Sequence, residues 1–215
     1  ILAAIWLASL LVNEVPAEPR QASVNHIALF WRELNQPAIL AFFFACFLLQ
    51  LSHGPYYTFY TIYLDSLDYP RLLTGLLWSL GVVAEIILFW VMHRLLSAYS
   101  LRFLLLVTLV LTSVRWLMIA LFAELWPVLV AAQLLHAASF GSFHAVAIEM
   151  VRRHFSEGSS GQAQAFYSAV SFGAGGAVGA LLSGWLWVYG PGWLFLLAAL
   201  SVLPGIAAVY WLVRE

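Results

Sequence analysis

The sequence predicts an all-α membrane protein built as a bundle of six transmembrane helices, and two observations carry this prediction. Hydrophobic residues make up 64% of the chain and charged residues only 9%, with a mean hydropathy of +0.93. A soluble domain has about 25% charged residues, so this chain has too few polar groups to cover its own surface. The apolar residues also fall into stretches of about 20 or more, enough for a helix to cross a hydrocarbon core of roughly 30 Å.

Charge and cysteine content exclude several other classes of protein. The formal net charge is −1, which favours neither nucleic acid nor an acidic partner. The single cysteine, Cys46, excludes an internal disulfide and a cysteine-based metal cluster. The expected partners are therefore the lipid bilayer and small solutes, without nucleic acid, and no cofactor is predicted.

The first 36 residues are predicted to precede the bundle. Residues 1–12 are apolar but would reach only about 18 Å as a helix, so we interpret them as the end of a transmembrane helix truncated upstream. Residues 13–36 are polar and form a predicted linker. Its second half, HIALFWREL, alternates apolar and charged residues at helical spacing, which predicts a helix lying at the membrane interface. The chain is thus expected to be part of a longer protein.

The six predicted spans occupy residues 37–215. They cover residues 37–64, 72–92, 101–122, 127–149, 162–189 and 193–213. Pro55 lies inside the first of them, after His53 and Gly54. Because proline removes a backbone donor and clashes with the preceding turn, a kink or break is expected there.

The arginines predict how the spans are oriented. All nine basic residues of the chain are arginines. Placing the linker in the cytoplasm puts seven of them on that side, whereas only Arg71 falls outside and Arg115 lies within a span. Because cytoplasmic loops are enriched in basic residues, this bias predicts that both ends of the segment are cytoplasmic.

Ionisable residues inside the apolar stretches are the strongest functional signal. Glu85 lies within residues 72–91, and a carboxylate at membrane depth costs several kcal/mol unless it is protonated, paired or facing water. At about 100° per residue, polar and aromatic side chains align on one face of each of the first four spans. The aligned residues are His53, Tyr56, Tyr57 and Tyr60; Thr74, Trp78, Gly81 and Glu85; Thr108, Thr112 and Arg115; and Gln133, His136, Phe140 and His144. Such stripes predict a solute or proton pathway.

Counting along each helix predicts two levels of ionisable groups. His53, Arg115 and His136 are expected in the outer half of the membrane, whereas Glu85 and His144 are expected in the inner half. Structural roles stay open for some of these residues. Arg115 could simply hold helices together, and His144 could extend to the cytoplasmic surface.

Small residues recur every fourth position in the fifth span. One series is Gly175, Gly179 and Ser183, and the other is Gly176, Ala180 and Gly184. Small residues at this spacing allow helix backbones to approach closely. The series predict either packing within the bundle or a sliding contact with another domain.

Several segments resemble one family of transporters. GLLWSLGVVAEIILF, the SVRW around Arg115, QLLHAASFGSFHA and HGPYYTFYTIYL are similar to major facilitator superfamily transporters of the 3-phenylpropionic acid transporter type, which are related to proton-coupled nucleoside and lactose symporters. The resemblance covers about residues 38–200. It implies the C-terminal half of a major facilitator fold in a bacterial inner membrane, working by alternating access with the missing N-terminal half.

The resemblance also implies roles for the polar residues. It places seven of them near substrate: His53, Tyr56, Tyr57, Tyr60, Gln133, His136 and His144. Trp78 and Arg115, which lie on the polar faces of their own spans, complete the nine predicted substrate-binding residues. Glu85, Arg115 and His136 resemble three members of the lactose symporter's proton-coupling set. The fourth member of that set is a glutamate in the symporter, and Ser139 occupies its position here.

These residues lead to a hypothesis of proton-coupled uptake of a small aromatic acid. Glu85 would be the titrating group, with Arg115 and His136 taking part in the coupling. Arg115 would also serve as counter-charge for the substrate carboxylate, and the tyrosines would contact its ring. The sequence alone leaves open whether Glu85 pairs with Arg115.

Three other functions stay open at this point. Intramembrane histidines such as His53 and His136 could bind haem in a membrane redox protein. Ser142 and His144 could serve an intramembrane protease, although they point to different helix faces. The chain could also be a packing or regulatory module without transport. An enzyme is not the expected outcome.

Overall fold

The structure is a computed structural model that describes residues 26–213. The predicted helix end at residues 1–12 and the part of the linker at residues 13–25 lie outside the described residues. Throughout the described residues the chain is helical and forms no strand. Six of its helices are long and apolar enough to cross a membrane. The prediction of an all-α membrane protein with a six-helix bundle is confirmed.

The six helical rods are named spans 1 to 6 in chain order. They are Pro37–Ser66, Arg71–Ala98, Leu101–Phe122, Trp126–His154, Glu157–Tyr189 and Pro191–Leu212. The predicted spans are all present, but several continue further into polar sequence than the apolar stretches indicated. Hydropathy marks the part of a helix that lies in hydrocarbon, whereas backbone hydrogen bonding continues into the polar residues beyond it.

Span 1 is broken where proline predicted a break. It consists of the helices Pro37–Ser52 and Gly54–Ser66, with His53 between them. Span 6 has a similar break before Pro204, between Pro191–Ser201 and Leu203–Leu212. In both cases the proline stands at the second residue of the new helix, where its missing N–H costs least.

Spans 4 and 5 each contain a π-helical segment that periodicity did not predict. In span 4, Ala137–Ser142 separates Trp126–His136 from Phe143–His154. In span 5, the corresponding segment is Ala169–Gly175. The ring centroids of Phe140 and Phe172, one from each segment, lie 6.1 Å apart. The two irregular segments therefore face each other, which suits a functional region because π-helices are frequent at such sites.

Packing places spans 1, 3 and 4 inside the bundle. Span 1 packs against spans 5 and 6, span 3 packs against spans 4 and 6, and span 2 packs chiefly against span 4. Spans 2 and 5 present most of their surface to the outside. The polar stripes of spans 1 to 4 consequently meet on one side of the bundle.

A short helix, His26–Leu34, precedes span 1 as the alternation of apolar and charged residues predicted. Glu33 accepts hydrogen bonds from the hydroxyl of Ser159 and, at 3.4 Å, from the backbone N–H of Ser156. Phe30 stacks on Phe155 with ring centroids 5.9 Å apart. This helix is therefore held against the junction of spans 4 and 5. Its position at the membrane interface stays a prediction.

Of the two series of small residues in span 5, one packs inside the bundle and the other does not. A Cβ atom added to Gly175 would lie 2.7 Å from the Phe47 carbonyl oxygen. A Cβ on Gly179 would overlap the carbonyl oxygen of Leu51. At Gly176 and Gly184, by contrast, it would meet no atom within 4 Å. Spans 1 and 5 thus touch backbone to backbone along the first series.

The two series give a matched pair of substitutions. We expect Gly179→Ala to lower the unfolding temperature of the protein in detergent, because the added methyl group forces spans 1 and 5 apart at a cost of about 1–3 kcal/mol. Gly176→Ala, three residues away, should leave that temperature unchanged or slightly raised, since alanine favours helix more than glycine does. Equal unfolding temperatures for the two variants would contradict the backbone contact.

Candidate functional site

The polar faces of spans 1 to 4 converge on one cluster of side chains. It combines aromatic rings with one guanidinium, two imidazoles, one amide and one carboxylate. Its members are His53, Tyr56, Tyr57, Tyr60, Trp78, Glu85, Arg115, Trp116, Gln133, His136, Ser139 and Phe140. The break at His53 and the π-helical segment after His136 both lie within it.

Arg115 is the centre of this cluster and is fully enclosed, with 0% of its surface exposed. Its Nε donates to the backbone carbonyl of Ala132 at 3.0 Å, and its Nη1 donates to Ser139 Oγ at 3.4 Å. Its Cζ lies 4.3 Å from the ring centroids of both Tyr56 and Trp116. Two aromatic faces therefore take the place of water around the guanidinium.

No carboxylate among the described residues forms an ion pair with Arg115. Its Nη2 is also buried and has no hydrogen-bond partner there. Because desolvating an ion costs several kcal/mol, an enclosed cation without a counter-ion is unfavourable in the absence of a ligand. Glu85 and Arg115 are not paired directly, which answers the question that the sequence left open.

A hydrogen bond between spans 1 and 4 holds the ring of Tyr56 over the guanidinium. The hydroxyl of Tyr56 donates to Gln133 Oε1 at 3.0 Å. The hydroxyl of Tyr60 and the Nε2 of Gln133 are buried close by without partners among the described residues. Unpartnered donors beside Arg115 make this region a polar interior with unused hydrogen-bonding capacity.

Glu85 lies beside His136, with Oε1 at 3.5 Å from Nε2. Their side chains are only 16% and 8% exposed, respectively. Gly81 allows this approach, because a Cβ there would lie 3.2 Å from the ring of His136. This separation exceeds a hydrogen bond, and Glu85 Oε1 has no hydrogen-bond partner among the described residues. A proton would pass between the two groups through a bridging water or after a closer approach.

Counting along the helices predicted Glu85 and His136 in different halves of the membrane, and the structure brings their side chains into contact. Span 2 has 28 residues, or about 42 Å of helix, which exceeds a hydrocarbon core of roughly 30 Å. Its ends therefore extend past the core, so counting from an end of the helix does not fix the depth of Glu85. His144 lies apart from this pair, with its Nδ1 3.2 Å from the hydroxyl of Tyr167.

The structure divides the nine predicted substrate residues into an accessible group and an enclosed group. Tyr57 is 50% exposed, and Trp78 and His144 are partly exposed. The other six are buried: His53, Tyr56, Tyr60, Arg115, Gln133 and His136. Tyr60, Arg115 and Gln133 each contact Tyr56 and are buried in this conformation, and their contact with substrate stays a prediction. The periodicity of a helix predicts on which face of the helix a residue lies, but not which neighbouring residues cover its side chain.

His53 is enclosed by the cluster and fixed by its own helix. Its Nδ1 lies 2.8 Å from the carbonyl oxygen of Leu49, and its Nε2 is buried without a partner among the described residues. Its ring packs edge-on against Trp116, with centroids 4.9 Å apart. His53 thus joins the helix break in span 1 to the aromatic shell of Arg115.

Sequence reasoning missed two members of the cluster. Trp116 donates from Nε1 to Ser52 Oγ at 3.0 Å, which ties span 3 to span 1. Ser139 was noted only as a departure from a family pattern, yet its hydroxyl is a partner of Arg115. A serine and an indole are common in any transmembrane helix, so neither residue type stood out.

The geometry does not support a serine protease at Ser142. Its hydroxyl donates to the carbonyl of Ala138 at 2.5 Å and lies 3.1 Å from Thr108 Oγ1. His144 is hydrogen-bonded to Tyr167 instead. A nucleophile and its base need a hydrogen bond between them, and these two side chains have other partners.

Comparison with known proteins identifies a family and a relative. A sequence model of the MFS_1 like family matches residues 1–197. Over 166 residues the chain is 36% identical to a protein of Escherichia coli (strain K12) named "Probable 3-phenylpropionic acid transporter". That alignment covers 76% of this chain and 43% of the relative, so the match spans less than half of the relative's length.

The enclosed cation gives a prediction about stability. We expect Arg115→Met to unfold in detergent at the same temperature as the unmodified protein or at a higher one. Methionine removes a charge whose burial costs several kcal/mol, which offsets the loss of two cation–π contacts of about 2 kcal/mol each. Trp116→Ala, which leaves a cavity beside the same position, should lower the unfolding temperature clearly. A comparable fall in Arg115→Met would show that Arg115 stabilises the fold.

Proposed function

Because the chain belongs to the MFS_1 like family, we propose that it forms one half of a secondary transporter of the major facilitator superfamily. Such transporters place their substrate site near the membrane midplane, between two helical halves that rock against each other. This chain would be the C-terminal half, with an N-terminal half facing the cluster around Arg115. The protein would lie in a bacterial inner membrane, with both ends of this segment in the cytoplasm.

The proposed substrate is a small aromatic acid, and the uncompensated charge of Arg115 is the observation that carries this proposal. A substrate carboxylate would supply the missing counter-ion and accept from the free Nη2. The surrounding rings of Tyr56, Tyr57, Trp78 and Phe140 would accommodate an aromatic ring. Since Tyr56 covers Arg115, its ring would have to move aside as the carboxylate binds. The name of the Escherichia coli relative agrees with this substrate class.

Proton coupling is proposed to run through Glu85 and His136. A carboxyl group that is mostly buried in a transmembrane helix is stable only when it is protonated or has a partner. The imidazole of His136 at 3.5 Å provides that partner. His136 also lies 5.4 Å from Tyr56 between ring centroids. A movement of Tyr56 on substrate binding would therefore change the surroundings of the Glu85–His136 pair, which links the two events.

The alternative of a membrane haem protein gains no support. Neither match concerns a redox protein. Family membership likewise points to transport and not to an enzymatic reaction.

Uptake into liposomes that contain the intact parent protein tests this function. After subtraction of the uptake by protein-free liposomes, we expect labelled 3-phenylpropionate to accumulate when an inward proton gradient is imposed, and only to equilibrate without the gradient. Accumulation that ignores the gradient would contradict proton coupling. A complete absence of uptake and exchange would contradict the substrate class.

A substitution at Glu85 separates coupling from binding. We expect Glu85→Gln to abolish gradient-driven accumulation and to retain exchange of 3-phenylpropionate across the membrane, because glutamine keeps the shape of the side chain but cannot release a proton. Glu124→Gln, in the exposed turn between spans 3 and 4, should behave like the unmodified protein. Uphill uptake that survives Glu85→Gln would exclude Glu85 as the proton carrier.

A further inference from the structure

A cavity of about 420 Å³ lies where the end of span 1 meets the beginning of span 2, away from the enclosed Arg115. Its size falls within the range of roughly 300–1,000 Å³ that is typical of small-molecule sites. One wall carries Thr61 and Asp65, and the other carries Arg71, Thr74 and Trp78. The cavity therefore combines a cation, two hydroxyl groups and an indole, which is a mixture suited to a small aromatic anion.

Arg71 is free to bind an anion in this cavity. Its only ion pair among the described residues is with Asp65, at 4.0 Å between Nε and Oδ1. Both side chains are largely exposed, at 94% and 65%. An exposed pair at the limit of contact holds its members weakly, so a ligand carboxylate can replace Asp65 as the partner of Arg71. Arg71 is also the one arginine predicted outside, against the bias that places basic residues in the cytoplasm.

Trp78 joins this cavity to the cluster around Arg115. Its Nε1 donates to Thr61 Oγ1 at 3.2 Å, which fixes the plane of the indole at the cavity wall. Its ring centroid lies 4.4 Å from that of Tyr56, and Tyr56 covers the guanidinium of Arg115. A continuous aromatic surface therefore leads from one cation to the other.

We propose that this cavity is a capture site for an aromatic monocarboxylate. The carboxylate binds Arg71 and the aromatic ring packs against Trp78, before the ligand moves along the rings to Tyr56 and Arg115. This inference rests on the function proposed above and adds a second, outer binding site to it. Asp65 competes with the ligand for Arg71, so it acts as an internal counter-ion that the substrate displaces.

The competition predicts opposite effects for two neighbouring substitutions. In initial-rate uptake of 3-phenylpropionate by the intact parent protein, Arg71→Gln should raise KM about threefold, and Asp65→Asn should lower it about twofold. The kcat should stay nearly constant in both, and Arg71→Lys should restore most of the affinity because it keeps the charge. Arg94→Gln, at the exposed opposite end of span 2, is the matched control and should leave KM unchanged.

Two further readouts distinguish ligand capture from a structural effect. Raising the ionic strength should increase KM in the unmodified protein and have less effect in Arg71→Gln, because salt screens an exposed charge. In Trp78→Leu, the KM for 3-phenylpropionate should rise more than the inhibition constant of hexanoate. Hexanoate competes for uptake and has the same charge without a ring. A purely structural loss would affect both acids equally.

The outcomes separate this inference from the proposed function. If the unmodified protein takes up 3-phenylpropionate and Arg71→Gln has the same KM, the capture site alone is overturned. A rise of KM in Asp65→Asn would overturn the displacement of Asp65. No uptake by the unmodified protein would overturn the proposed function and this inference together.

Discussion

The guanidinium of Arg115 lies in the interior of the bundle, and three spans contribute to its surroundings. Span 1 supplies the ring of Tyr56, span 3 supplies Trp116, and span 4 supplies the carbonyl of Ala132 and the hydroxyl of Ser139. A cation can be enclosed only if such groups replace its water, so these three spans must pack closely at this level. Around these three spans, span 6 packs against spans 1 and 3, span 5 approaches span 1 along its glycines, and span 2 packs chiefly against span 4.

The enclosed cation also explains why the site has two layers. Tyr56 shields Arg115 on its inner side and contacts Trp78 and His136 on its other side. Its hydroxyl is held by Gln133, a residue that lies one turn from His136 on span 4. One side chain thus touches the proposed anion site, the proposed proton pair and the aromatic surface that leads outward. In a transporter, a residue with these contacts is expected to change its position when substrate binds.

Much of the fold could be predicted from the sequence, because the signals involved are local. The limits of the apolar stretches, the break before Pro55 and the alignment of polar side chains every three to four residues are properties of single helices. These signals located Arg115, Glu85 and His136 on the correct faces. They also distinguished the two glycine series of span 5, but not which of them packs against span 1.

What could not be predicted depends on how one helix is placed beside another. The contact between Glu85 and His136 depends on how far span 2 is shifted along its axis relative to span 4, and no periodicity records that shift. The enclosure of Tyr60 and Gln133 depends on the neighbours that cover them. The same holds for the capture cavity, since Asp65 and Arg71 belong to the ends of different spans and stand out only when those ends meet.

The π-helical segments of spans 4 and 5 have a consequence for how such proteins tolerate insertions and deletions. A π-helical turn accommodates about one residue more than an α-helical turn. Loss of one residue between Ala137 and Ser142 can therefore be absorbed locally, with His136 and His144 keeping their directions. The same loss elsewhere in span 4 would rotate everything beyond it by about 100°. Single-residue gaps in alignments of this family are accordingly expected at these two segments, where changes of chain length leave the surrounding site intact.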